Sequence, residues 1–276
     1  MKGFGINLWR YLKLYGLLLG AQLRSQMSYR SSFFLDLLST AFITLIEFGT
    51  LAVVFERFNN IKGWTLGEVA FLYGLVEISF SLMDMVFSGF DPPFFGQGIR
   101  KGSFDLLRLR PLPLILQIFA SDFPLRRLGR LALGIGIFAL ALNLNPIEWT
   151  LAKILYLPWV ILGMVCFFGG LFIIGAAFTF WTVEGLEALN IFTYGGSFLI
   201  SYPMHIYPDW LRFSFSYIVP AIFLNYYPAL YFLNKEDPFN LPAFAPFLAP
   251  WVGLGVLVVA LKIWAWGLRH YHSTGS

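Results

Sequence analysis

Along most of this chain the apolar positions are continuous, not alternating, and short polar breaks separate them. Runs at Phe33–Phe55, Leu66–Phe90, Leu125–Leu144, Leu151–Phe180, Ala188–Tyr202 and Ala249–Leu268 predict six membrane-spanning helices, since a span needs roughly 20 mostly apolar residues. A transmembrane barrel would instead alternate apolar and polar positions. Ahead of these runs, residues 6–28 place Arg10, Lys13 and Arg24 within a narrow arc at helical spacing, with Leu12, Leu19 and Leu23 on the other side. That pattern predicts a helix lying in the membrane interface with its basic stems reaching the headgroups. The opening residues superficially resemble a signal peptide, but Lys13 interrupts the apolar stretch and no small-x-small site follows, so the segment is expected to be retained.

Two stretches break the pattern. Between residues 203 and 248, Pro203, Pro208, Pro220, Pro228, Pro238, Pro242 and Pro246 punctuate an aromatic-rich segment. Interior prolines remove backbone hydrogen bonds and force bends, so short external half-helices are expected there, not one straight span. The second break, residues 94–113, carries the stretch KGSFDLLRLRPL between two spans. About twenty residues cannot form a domain. They predict one short helix, with Phe104, Leu107 and either Leu109 or Leu106 against the membrane or a partner, and Asp105 and Arg108 on the polar side. Gly102 frees its start, and Pro111 stops it because the residue before proline disfavours the α conformation.

Composition agrees with a helical membrane protein: 58% of the 276 residues are hydrophobic and 12% are charged, about half the charge of a soluble chain. The fold class is therefore all-α, a single polytopic membrane domain over 1–276. With the N-terminus inside, fourteen lysines and arginines fall on the cytoplasmic side against five outside, which predicts both termini in the cytoplasm. The single cysteine, Cys166, reads as a small buried hydrophobe. Trp64, Trp149, Tyr207, Trp210, Trp251 and Trp264 read as the interfacial aromatic belt. No basic, aromatic surface points to nucleic acid.

Acidic residues within spans are the remaining chemistry. Asp36 and Glu47 share one face of the first span, and Glu77 and Asp84 share one face of the second. A charge at mid-bilayer costs about 2.5–3.5 kcal/mol on insertion scales. These four are thus candidates for lining a path for a cationic or amphipathic substrate, or for pairing with arginines. Glu184 and Glu187 suit the positive end of the fifth span. His205 with Asp209, and His270 with His272, supply too few ligands for a metal, and none is expected.

The run from Gly102 through Asp105, Leu109, Arg110 and Pro111 to Leu112 resembles the cytoplasmic Gly-x-x-Asp-x-x-Leu-x-Arg-Pro-Leu signature of a bacterial subfamily of type 2 ABC exporter permeases. Tyr202-Pro203, Pro208-Asp209-Trp210 and Ile218-Val219-Pro220 resemble the proline-marked external segment of that family. The resemblance implies that Gly102, Asp105, Leu109, Arg110 and Pro111 belong to a coupling helix seated on an ATP-binding subunit. It implies further that Pro203, Pro208, Trp210 and Pro220 frame an external gate. Two permeases, often different chains, would join two ATPase subunits in the bacterial cytoplasmic membrane, surrounded by lipid. The dipeptide Gly-Lys occurs nowhere in these residues, so no phosphate loop is present in them; ATP and Mg would belong to the partner, with no cofactor and no catalytic residue on this chain. An ion-coupled carrier or channel using the carboxylates, or a lipid-modifying enzyme, are the alternatives. Against them stand the lack of an inverted repeat and the lack of a nucleophile–base pair.

Overall fold

The computed structural model describes residues 8–28, 30–58, 60–182 and 190–271, in which helices joined by turns and loops make up most of the chain. In chain order the α-helices are α1 (Leu8–Met27), α2 (Arg30–Phe58), α3 (Leu66–Phe87), α4 (Pro92–Arg100), α5 (Ser103–Leu109), α6 (Leu114–Phe119), α7 (Arg127–Leu144), α8 (Leu151–Thr182), α9 (Tyr194–Ile200), α10 (Asp209–Phe213), α11 (Tyr226–Leu233) and α12 (Ala249–Arg269). Single turns of 3-10 helix and one π-helical turn at Ser214–Ile218 join the shorter ones.

Two helices form the buried centre. α3 packs antiparallel on α7 and crosses α8, while α8 packs along α12. Small residues allow these approaches: a Cβ on Gly134 would meet the Glu77 Cβ at 2.8 Å, and one on Gly253 would meet the Gly163 carbonyl oxygen at 2.0 Å. Without a hydrophobic force between helices in lipid, such close backbone contact is a main source of association. α2 is the opposite case. Phe34, Leu35, Phe42, Ile46, Val53 and Phe58 on it are all more than half exposed, a surface suited to lipid or to a second membrane chain.

The two ends of the bundle differ. One carries α4, α5 and the start of α7, with Arg100, Lys101, Arg108, Arg110 and Arg126; we call it the basic end. The other, the proline end, carries the α2–α3 turn and the segment from residue 203 onward. There α3 starts with a capping box, in which the Glu68 amide donates to the Thr65 hydroxyl and the Thr65 amide donates to the Glu68 carboxylate. Lys235 Nζ donates to Glu68 at 2.7 Å and to the Gly63 carbonyl at 3.0 Å, fastening the later segment to this turn.

The structure corrects two expectations. Among the described residues five helices, not six, are long and apolar enough to span. In place of a fifth straight span from Ala188 to Tyr202 stands α9, seven residues long; residues 183–189, with Glu184 and Glu187, lie outside the described residues. The chain still travels between the ends. Tyr194 packs on Phe80 in the bundle, and His205 exchanges hydrogen bonds with Lys62 at the proline end. The second correction is that 94–113 forms two short helices instead of one. Lys153 is buried, with its ammonium donating to the Phe232 carbonyl and the Asn234 side chain, each at 2.9 Å.

Candidate functional site

At the basic end α3 runs through a 3-10 turn at Ser88–Phe90 into α4. Pro92 stands at the first helical position, where its missing N–H costs nothing. The amides of Lys101 and Gly102 bond back to α4, and Gly102 then adopts φ +68°, a conformation open to glycine at little cost. That residue reverses the chain and starts α5. At the other end Arg110 is extended before Pro111. The buried Gln117 amide donates to the carbonyls of Leu107 at 3.0 Å and Leu112 at 3.1 Å, holding the Arg-Pro-Leu turn against α6.

α5 has two unlike faces. Phe104, 2% exposed, is packed edge-on against Phe95 and Tyr271 and also touches Phe180. Asp105 accepts from the Tyr271 hydroxyl at 3.1 Å, and the Arg108 guanidinium lies 5.3 Å from the centre of the same ring. The expected polar pair is thus turned toward this chain's own C-terminal helix. Phe104 and Leu107 face inward, whereas Leu106 and Leu109 are exposed, Leu109 at 81%. Together with exposed Arg110 and Pro111 they form the free edge. Of the five residues implied by the resemblance, Gly102 makes the turn, Asp105 anchors, and Leu109, Arg110 and Pro111 are presented. Between α4, α5 and α6 lies a cavity of about 370 Å³ bordered by Lys101, Leu106, Leu107 and Arg110.

The acidic residues are divided among three settings. Glu77, at the middle of α3, takes two hydrogen bonds from Arg130 of α7: Nη2 donates to Oε1 at 2.7 Å and Nε donates to Oε2. Two turns farther along α3, and about one turn back along α7, Asp84 pairs with Arg127 at 2.6 Å. Both carboxylates are buried between α3 and α7, each against an arginine, the second of the two roles open to them. Asp36 is exposed at the basic end, beside Gln22, Asp122 and Arg126. Glu47 differs. Its donor is the Tyr73 hydroxyl at 3.0 Å, and it borders an apolar cavity of about 440 Å³. Asp36 and Glu47 thus border different cavities.

At the proline end, buried Pro203 precedes a 3-10 turn at Met204–Ile206, and Pro208 caps α10. Trp210 is 69% exposed. Past the π-helical turn, Pro220 reverses the chain toward α11. Asn225, fully buried, donates to the carbonyls of Leu72 at 3.1 Å and Ile200 at 2.8 Å and so pins this hairpin to α3 and α9. His205 accepts from the Tyr226 hydroxyl or donates to it at 3.3 Å, with its other ring nitrogen on the Lys62 carbonyl. Burial first, and then the charges of Lys62, Lys235 and Arg212, hold its pKa below the ordinary imidazole value.

Sequence reasoning missed Tyr271 and Gln117, and it offered pairing with arginines for the α3 carboxylates without naming Arg127 and Arg130 as the partners. Tyr271 sits in what reads as a polar tail. Arg127 and Arg130 were legible as inside charges, yet their reach into the bundle depends on a helix register that hydropathy does not carry.

Comparison with known proteins adds one finding. A family model described as ABC-2 family transporter protein matches residues 41–275. Neither the curated proteins nor the solved structures give a significant match.

Proposed function

The chain belongs to the ABC-2 transporter family as a membrane-spanning permease subunit of an ABC transporter, and from that premise we propose that it moves substrate out of the cytoplasm by alternating access. The work is done by two ATPase subunits on separate chains, and the basic end receives them. In this reading that end and both termini face the cytoplasm of a bacterial cell, in its inner membrane. A second permease, a different homologous chain, completes the transporter, and the segment holding Pro203, Pro208, Trp210 and Pro220 frames the outer gate.

One observation carries the reading. α5 presents Leu106, Leu109, Arg110 and Pro111 outward while Phe104, Asp105 and Arg108 root it in the cluster around Tyr271. A helix seven residues long is below the length at which helices hold themselves together in water. Its inward side chains stabilise it, and the outward ones are then available to a partner without cost to the fold. A partner cleft that covers this edge would transmit its motion through Phe104 to α8 and α12, and through α4 to α3.

The experiment is affinity purification of the tagged chain in mild detergent, with mass spectrometry of what accompanies it. Leu109→Ala combined with Arg110→Ala changes two exposed side chains. We expect a subunit with a phosphate-loop motif to co-purify with the wild type and to be lost from the double variant. A stable complex without any ATPase, or one indifferent to the double change, overturns the assignment.

A further inference from the structure

The cavity beside Glu47 lies between α2, α3 and the 198–206 segment. Its walls are Leu51, Phe55, Val69, Phe198 and Tyr202, and Glu47 supplies the charge. The volume, about 440 Å³, falls within the range of small-molecule sites, which pair apolar walls with a few placed polar groups. Glu47 is seventeen residues into α2, about 25 Å along it at 1.5 Å per residue, so it sits at hydrocarbon depth.

Charge is not balanced here. Arg130 spends two donors on Glu77, and Tyr73 gives Glu47 one neutral hydrogen bond. The group Glu47, Glu77 and Arg130 therefore carries one excess negative charge when ionised, and Glu47 presents it to the cavity. Nearby Thr50 turns its hydroxyl to the Ile46 carbonyl at 2.8 Å and gives the carboxylate nothing. An uncompensated carboxylate in apolar surroundings is costly unless a cation joins it.

We propose that this cavity binds an amphipathic organic cation, with its positive centre at Glu47 and its apolar body against Phe198 and Tyr202. The two rings, 5.3 Å apart and at 64° to one another, present faces that favour a cation. A bare metal ion is a poor occupant, because Ca²⁺ takes six to eight oxygens and Mg²⁺ requires six, whereas the side chains bordering this space offer one carboxylate, one phenol and the Thr50 hydroxyl. A lipid chain would fill the walls and leave the charge unanswered. The proposal names a substrate class for the permease and in that respect rests on the reading above; binding itself needs no ATPase.

The test therefore uses the full chain alone, in nanodiscs of zwitterionic lipid, with tetraphenylphosphonium as probe and tetraphenylborate as an anion of the same shape. Binding is read by equilibrium dialysis against empty nanodiscs. We expect saturable binding of the cation, none of the anion, and a loss of tenfold or more in Glu47→Gln, a change that preserves shape. Val54→Trp, at a part-exposed position bordering the cavity, blocks it and abolishes saturable binding. Equal affinity in Glu47→Gln, equal binding of both ions, or full binding in Val54→Trp overturns the proposal. None of these results bears on whether an ATPase docks at α5, so the two readings fail separately.

Discussion

Removing Arg130 is the sharpest available perturbation of the core. Glu77 is 2% exposed, and the guanidinium that neutralises it enters from α7 with two donors in the forked geometry that matches a carboxylate. In Arg130→Met the carboxylate stays buried near mid-helix with its partner gone and Tyr73, already committed to Glu47, beside it. Breaking a buried pair from one side costs about 3–5 kcal/mol, because a charge is left without compensation. The reverse change is milder. The Arg130 side chain is 19% exposed against 3% for Glu77, and Arg130 is three residues from the start of α7 at the basic end. In Glu77→Gln the arginine can extend toward that end, and the amide retains hydrogen-bonding capacity, so the loss is expected to be about 1–3 kcal/mol.

The assay is reversible unfolding in mixed micelles with increasing dodecyl sulfate, followed by tryptophan fluorescence, which nine tryptophans supply. The double variant Glu77→Met with Arg130→Met replaces the pair by apolar side chains of similar length. It should regain most of the stability lost in Arg130→Met, giving a coupling of about 2 kcal/mol or more, well above the few tenths expected of independent sites. Single losses below 0.5 kcal/mol, or a double loss equal to the sum of the singles, would refute the view that this pair is a committed structural element.

Two further outcomes follow from other parts of the structure. Gly253→Val should disrupt the α8–α12 contact, since its Cβ would lie 2.0 Å from the Gly163 carbonyl, whereas Gly255→Val, with nothing within 4 Å, should be close to neutral; the same micelle titration separates them, and equal effects would contradict the packing. For His205, the depressed pKa means that the folded chain holds the ring neutral while the unfolded chain binds a proton more readily. Its contribution is present above the unfolded value of about 6.5 and is lost as pH falls through and below it. The unfolding free energy should therefore drop between pH 7.5 and 5 in the wild type and drop less in His205→Gln.

How much of this was legible beforehand depends on what each residue's role requires. α2, α7, α8 and α12 lie within a few positions of the expected spans, because a long continuous apolar run has few other solutions in lipid. The fifth crossing failed for the same reason in reverse. Apolar composition reports burial, not backbone, and Asn190 and Thr193, poor helix formers, stand ahead of a helix of only seven residues. Glu77 and Asp84 were correctly placed on one face by their spacing. Their partners were not, since the register of α3 against α7 is set by glycine contacts such as Gly74 on Phe138 and Gly134 on Glu77. The signature around Gly102 marked the turn, but spacing within α5 could not show that its polar face meets Tyr271, a residue 166 positions away from Asp105.

That long-range contact bears on how α5 would work under the coupling reading. Phe95, Phe104, Phe180, Trp264 and Tyr271 form a continuous set of ring contacts, with centroids 4.9–5.7 Å apart. They bring together α4, α5, α8, α12 and the residue following α12. Interiors this well packed shift as units and do not deform locally, so a displacement of α5 cannot be absorbed at Phe104. α8 and α12 are joined farther in by the Gly163–Gly253 contact, and α4 continues α3, which the two arginine pairs fix to α7. A push at the exposed edge therefore reaches four of the five long helices as two linked pairs. α2 is held to α7 at Gly129, where a Cβ would meet the Leu37 carbonyl oxygen at 2.2 Å, and by the Thr40 hydroxyl donating to the Arg126 carbonyl at 3.0 Å. It meets α3 through the Glu47–Tyr73 hydrogen bond and the tilted rings of Phe48 and Tyr73. The cavity beside Glu47 is walled by α2, α3 and the 198–206 segment, so under the coupling reading a shift of α3 against α2 would change its shape.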